Sequence, residues 1–164
     1  MKTPAAALAA LTLLACTAGA STVNELELPD ISAFAVGIET NVRSVETLDA
    51  DALTDSLRAA DARGETWTVE PLRVGLELVP RRLVGRRRTV EARYAPGEWE
   101  PGRPFSWVRV TVEDGGWLDD SVTGVRYVLW LVPCGDGSLR VRRALRAHLC
   151  DRPYWRYYSA DPCP

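Results

Sequence analysis

The chain has one lysine, Lys2, and one histidine, His148, among its 164 residues. A lone histidine with four scattered cysteines does not supply the ligand clusters that hold a structural or catalytic metal. No stretch carries a catalytic, metal-binding or nucleotide-binding signature, and there is no internal repeat. No apolar run reaches the roughly 20 residues that a lasting transmembrane helix needs. The near-absence of lysine reads as a genome-composition effect on the choice of arginine. These gaps leave no reaction legible in the residues and imply no cofactor. What remains is an ordinary globular composition, 46% hydrophobic and 26% charged, of a length that buries a real core as one domain.

The first fifteen residues, Met1 to Ala15, combine one positive charge with an uncharged run and a small residue before Cys16. That is the pattern of a secretory signal peptide. The ending Leu13-Leu14-Ala15-Cys16 resembles a bacterial lipobox. The resemblance implies cleavage before Cys16 and lipid on Cys16. Residues 16–23 are then a lipidated tether and residues 24–164 a single α+β domain. An ordinary signal cut after Ala15 or near Ala18-Gly19-Ala20 is the alternative. The expected location is the bacterial cell envelope, on the periplasmic face of a membrane. The outer membrane is favoured, because Thr17 is not the aspartate of inner-membrane retention.

Three long antiparallel strands are expected at Phe105–Glu113, Val122–Pro133 and Ser138–Leu149. The last two form a hairpin closed by Cys134-Gly-Asp-Gly137. Odd positions of the last strand are Leu139, Val141, Arg143, Leu145, Ala147 and Leu149, one apolar face broken by Arg143. If Cys134 sits opposite Ser138, Leu131 faces Val141, Tyr127 faces Leu145 and Trp130 faces Arg142. The last pair is an expected cation–π contact.

Export permits disulfides. In this register Cys150 lies opposite Val122, twelve residues from Cys134. At about 3.3 Å per residue that is about 40 Å, far beyond disulfide reach. A Cys150–Cys163 bond closes a short loop and is feasible, tying down the aromatic tail with Tyr154, Trp155, Tyr157 and Tyr158. Cys134 is then a free thiol or an intermolecular link.

Upstream, Pro29 to Val45 is read as a helix with Phe34, Ile38, Val42 and Val45 on one stripe. A strand through Phe34, Val36 and Ile38 is the alternative. Asp49–Arg63 is a better helix, with acids in its first turn, Leu53 and Leu57 one turn apart, and Gly64 as its stop. Thr66–Val79 reads as a strand interrupted by Pro71, with Leu72, Val74, Leu76 and Leu78 on one face. Arg86–Tyr94 reads as the next strand, followed by a proline- and glycine-rich loop, 95–104.

Charge is divided along the chain. Residues 24–70 hold eleven acids and three arginines, net −8, and residues 71–164 eleven acids and sixteen arginines, net +5. Either the acidic front packs on a basic sheet, the favoured reading, or the basic face meets an anionic partner such as phospholipid, lipopolysaccharide or another polyanion. Export argues against nucleic acid. His148 is expected on a wet face in a structural role. Asp119-Asp120-Ser121 reads as turn chemistry, with paired carboxylates for acid–base work as the alternative. Arg143 is the sharper oddity, since a buried arginine needs a carboxylate or several carbonyls. Asp119, Asp120 or the acidic front can supply one. Otherwise Arg143 marks a ligand cleft, or a bulge at Arg142-Arg143 turns it outward.

The run Gly115-Gly-Trp-Leu-Asp-Asp-Ser-Val122, then Arg126-Tyr127, the hairpin, Cys150 and Cys163-Pro164 resembles a group of bacterial envelope proteins of unassigned activity. So does the earlier Gly64-Glu-Thr-Trp67 to Pro71-Leu-Arg-Val74. The resemblance covers about residues 60–164 and implies the Cys150–Cys163 bridge. The expected fold is an antiparallel sheet of about five strands with one or two covering helices. It is pictured as an NTF2- or cystatin-like roll, with a β-sandwich as the alternative. The expected function is a non-enzymatic lipoprotein that binds an envelope protein or anionic ligand while held to the membrane by its lipid. Candidate binding residues are Arg143, Asp119, Asp120, Arg126, Trp130 and Arg142. A periplasmic small-ligand binder, or a cryptic hydrolase with a cleft around Arg143, Asp119 and Asp120, is the alternative.

Overall fold

A computed structural model describes residues 41–80, 87–95, 105–116, 122–152 and 155–163. Expectations for the signal peptide, the tether and most of the Pro29–Val45 segment lie outside these residues.

Asp49 starts the first helix, α1 (Ala50–Ala62), by accepting the Asp51 and Ala52 amides, both at 3.0 Å. An aspartate here satisfies donors that have no partner within the helix. Gly64 follows its end at φ +76°, a conformation that costs other residues a steric penalty. Leu57 and Ala60 are the buried apolar positions of its inner face.

Thr66–Val79 is not a strand. It is a 3-10 turn, Thr66–Val69, running into a second helix, α2 (Pro71–Leu78). Pro71 does not interrupt this element but begins it, because the first helical position needs no amide hydrogen. The alternating leucines and valine divide into two helical stripes. Val74 and Leu78 face the core, whereas Leu72 and Leu76 stand 45% and 40% exposed. Gly75 lets α2 approach the sheet closely, since a Cβ there would lie 2.5 Å from Val110 Cγ1.

Five antiparallel strands follow as a meander: β3 (Arg87–Tyr94), β4 (Val108–Gly115), β5 (Val122–Pro133), β6 (Leu139–Arg152) and β7 (Trp155–Ser159). Two short strands precede α1. β1 (Asn41–Val42) runs parallel to β7 and β2 (Glu46–Thr47) antiparallel to β6. Val42 and Val45 therefore do not share a helical stripe. α1 lies on β6, and α2 on β3 and β4. The described strands form one sheet, so the fold is α+β and not a sandwich of two sheets.

The β5–β6 hairpin closes at the expected turn, where the Cys134 amide donates to Ser138 O at 2.7 Å. Pairing begins as expected, with Leu131 opposite Val141. A bulge then inserts Arg142, so Trp130 pairs with Arg143 and Tyr127 with Arg146. From that point every β6 side chain changes face. Leu139 and Val141 join the core beneath the helices, while Leu145, Ala147 and Leu149 join a second apolar cluster on the other side. The bulge also moves His148 to the helix-covered face, where it is 6% exposed, not solvated.

Thr54 of α1 stabilises the backbone beside this bulge. Its hydroxyl accepts the Val141 amide at 3.0 Å and shares its proton between Ala50 O at 2.8 Å and Val141 O at 3.2 Å. A helix side chain thus takes the place of a strand neighbour, which keeps these backbone groups satisfied.

A second irregularity, between Val122 and Gly124, restores the pairing of Val122 with Cys150. Cys150 is bonded to Cys163, with Cα atoms 5.5 Å apart. Cys134 is disulfide-bonded as well, which corrects the free-thiol expectation; its partner is neither Cys150 nor Cys163.

Candidate functional site

The cross-strand register divides the sheet's side chains into rows. On the helix-covered face the rows are mostly apolar: Ala92, Val110, Leu129 and Ala144, for example, lie side by side. The opposite face bears the charge. One row there runs Arg93, Arg109, Trp130, Arg143 across four strands, the next Glu91, Thr111, Val128, Leu145, and the next Thr89, Glu113, Arg126, Ala147.

In the third row Arg126 donates to Glu113 Oε2 through Nε at 2.8 Å and through Nη2. The Arg126 guanidinium also lies 4.5 Å from the centre of the Tyr158 ring. Tyr158 is 2% exposed and its hydroxyl donates to Glu113 at 3.3 Å. Burial pushes the Tyr158 phenol well above its ordinary range; Arg126 draws it back and Glu113 adds to the rise. Three side chains from β4, β5 and β7 meet in one cluster, and its cation is paired with its anion.

Beyond this cluster the same face holds a cavity of about 240 Å³. Arg87, Thr89, Thr123, Asp151 and Arg156 line it together with Glu113. Arg156 and Asp151 stand 3.9 Å apart, a loose surface pair.

The first row is arranged differently. Arg143 stacks over Trp130 at 5.4 Å from the ring centre. Trp130 is completely buried, with Val42, Val45 and Trp107 against its cluster. Arg109 is half-buried, and its Nε has no hydrogen-bond partner among the described residues. Burial lowers the Arg109 pKa, and the Arg93 charge lowers it further, while Glu91 opposes the change. Arg93 itself is held by Glu91 at 2.6 Å. Such a row can bind an anion; it offers no nucleophile or general base.

Of the sequence-derived candidates, Trp130 and Arg143 meet. The expected Trp130–Arg142 contact is replaced by Trp130–Arg143, because the bulge advances the register by one residue. Arg143 does not enter the helix-side core, for the same reason. Arg142 is the exposed residue of the bulge. Arg126 lies two rows away from Arg143, committed to Glu113. Asp119, Asp120 and Cys16 lie outside the described residues. Sequence reasoning missed Arg109, Glu113 and Tyr158. The alternation Arg109, Thr111, Glu113 along β4 was the available signal, since polar residues at every second position mark one face of a strand.

Among the described residues no three of His, Cys, Asp and Glu gather as a metal site. No helix there is long and apolar enough to cross a membrane. Comparison with protein-family models, curated proteins and solved structures finds no match.

Proposed function

We propose that the chain is a non-enzymatic lipoprotein of the bacterial envelope, anchored through Cys16, whose domain presents one sheet face to a partner. The observation that carries this reading is the row Arg93, Arg109, Trp130, Arg143. Its arginines outnumber the carboxylates that hold them, so the face is built to meet negative charge from elsewhere. The signal-peptide pattern and the lipobox resemblance support the anchor. Helices that precede an antiparallel meander support the NTF2- or cystatin-like roll as the finer description of the fold. The cavity beside Arg87 and Arg156 favours a second reading, a small-ligand binder. The ligand of that reading sits at the end of the face away from Arg143, not in the expected cleft around Arg143, Asp119 and Asp120.

The test is the intact mass of the protein taken from its native membranes without reduction. The chain has four cysteines, and Cys150 is joined to Cys163. Lipid on the Cys16 sulfur and a disulfide at Cys16 exclude each other. The anchored reading expects residues 16–164 plus lipid on Cys16. An unlipidated mass with all thiols bonded within one chain overturns the anchor and turns attention to a ligand screen.

A further inference from the structure

We propose that the hairpin end of the charged sheet face, marked by Arg109, Arg140, Arg142 and Arg143, docks on the phosphate groups of an anionic lipid bilayer.

Among the described residues none of these four guanidiniums has a carboxylate partner, although this face carries two glutamates. Both glutamates are engaged, Glu91 by Arg93 and Glu113 by Arg126. The strand register spreads the cations rather than converging them. Arg109 on β4 and Arg143 on β6 flank Trp130 on β5, about 10 Å apart at the usual strand spacing. Arg140 sits on β6 opposite Val132, and Arg142 is the extra residue of the bulge between them. The cavity lies at the other end of the face, around Arg87 and Arg156. A spread of cations around the buried Trp130 suits a surface of repeated phosphates better than one small anion. Guanidinium is the group suited to that contact, because its planar fork pairs with two oxygens of one phosphate. Trp107, half-buried against the Trp130 cluster, adds the amphipathic ring that favours a membrane interface.

The inference deepens the envelope reading above but is tested apart from it. Full-length protein carrying Cys16→Ser, so that no lipid is attached, is mixed with vesicles and floated. The vesicles are phosphatidylglycerol with phosphatidylcholine, against phosphatidylcholine alone. Binding to the anionic vesicles only, lost at high salt, is expected. Arg109→Gln and Arg143→Gln should each weaken it about fivefold, the usual contribution of one basic residue at an anionic surface. Both variants should melt as the parent does. Arg58→Gln, on the exposed side of α1, is the control and should bind like the parent. Equal binding to both vesicles, or unchanged binding of the Arg109 and Arg143 variants, overturns the proposal. So does inorganic phosphate that displaces the protein while sodium chloride of equal ionic strength does not, since the ligand is then free phosphate. If the parent binds neither vesicle but a variant neutralised at Glu25, Glu27 and Asp30 binds the anionic one, the chain's own acidic segment is the occupant and the proposal fails.

Discussion

The two faces of the sheet treat charge in opposite ways. On the helix-covered face the charged groups stand at one end and are matched. Arg88 Nη2 donates to Asp114 at 3.3 Å, and its Nε lies 2.8 Å from the same carboxylate, too far out of line for a second hydrogen bond. Arg146 pairs with Glu46. Apart from the buried His148, the rest of that face is chiefly valine, leucine, alanine and tyrosine beneath α1 and α2. On the opposite face charged residues run the length of β3 and β4, and matching stops at the hairpin end. A protein interior tolerates ions only when they are paired, so the first face has the character of a core. The second holds an apolar cluster around Trp130 over β5 and β6, with arginines beside it that no carboxylate of the described residues matches.

If that contrast is right, truncations on the two faces should differ most where neighbours alternate along the strands. Leu129→Ala removes a side chain that is 1% exposed in the middle of the helix-covered face. The expected loss is about 3 kcal/mol, the usual range for a buried leucine whose cavity collapses only in part. Thr111→Ala, in a half-exposed position on the other face, should fall within about 0.5 kcal/mol of the parent. Urea denaturation of both variants checks this, and equal losses would break the comparison.

The bulge is what divides β6 between the two faces, and Thr54 is what holds it. Thr54→Val keeps the shape but leaves the Val141 amide and carbonyl without their helix partner. A loss of about 2 kcal/mol is expected for such unsatisfied buried groups. Thr54→Ser should recover most of it. A valine variant as stable as the parent would show that the bulge persists without this support.

The same bulge marks the limit of what the sequence reveals. Apolar alternation in β5 and β6 is strong, so both strands, their turn and the first three paired positions were legible. So was the helix Asp49–Arg63 with its glycine stop, though not the capping role of Asp49. An extra residue beside Arg143 leaves no trace in composition, and alternation on either side of it reads as one continuous face. Arg143 pointing toward apolar neighbours was the symptom of the break, and a bulge at Arg142-Arg143 that turns it outward was one of the readings it allowed. The α2 error has a related origin. Leucines at every second position suit a strand, yet in a helix they divide into an inner and an outer stripe, and only packing against Val110 and Val112 decides between them. Tyr158 was out of reach, because its partners Glu113 and Arg126 are brought together by pairing across β4, β5, β6 and β7.

The cluster of Arg126, Glu113 and Tyr158 on the charged face should show itself at alkaline pH. Burial holds the Tyr158 phenol protonated above its ordinary value. In the unfolded chain a tyrosine gives up its proton near pH ~10. Stability from this group is therefore complete below about pH 10 and is lost as pH rises from there toward the higher folded value. Tyr158→Phe should cost about 1 kcal/mol at neutral pH, through the lost bond to Glu113. It should then lose less stability than the parent between about pH 9 and pH 11. Urea midpoints measured across that window test both halves. Parallel curves for parent and variant would remove Tyr158 from the alkaline transition.

The smallest expected effect bears most directly on function. Arg109→Gln removes a half-buried cation that burial and Arg93 both disfavour. It breaks no ion pair among the described residues, and its Nε gives up no hydrogen bond. Stability should change by no more than about 0.5 kcal/mol, and a small gain is the expected direction, since a desolvated and unpaired charge is lost. Glu113→Gln, which weakens the matched cluster two rows away, should be destabilising instead, because Arg126 and Tyr158 both bond to its carboxylate. Thermal melts of the two variants at low salt make the contrast sharpest. A destabilised Arg109→Gln would mean that this arginine serves the fold, and the hairpin end of the sheet would then resemble the matched end. A neutral or stabilised one would mean that the fold carries Arg109 at a cost, which makes sense only if something outside the fold uses its charge.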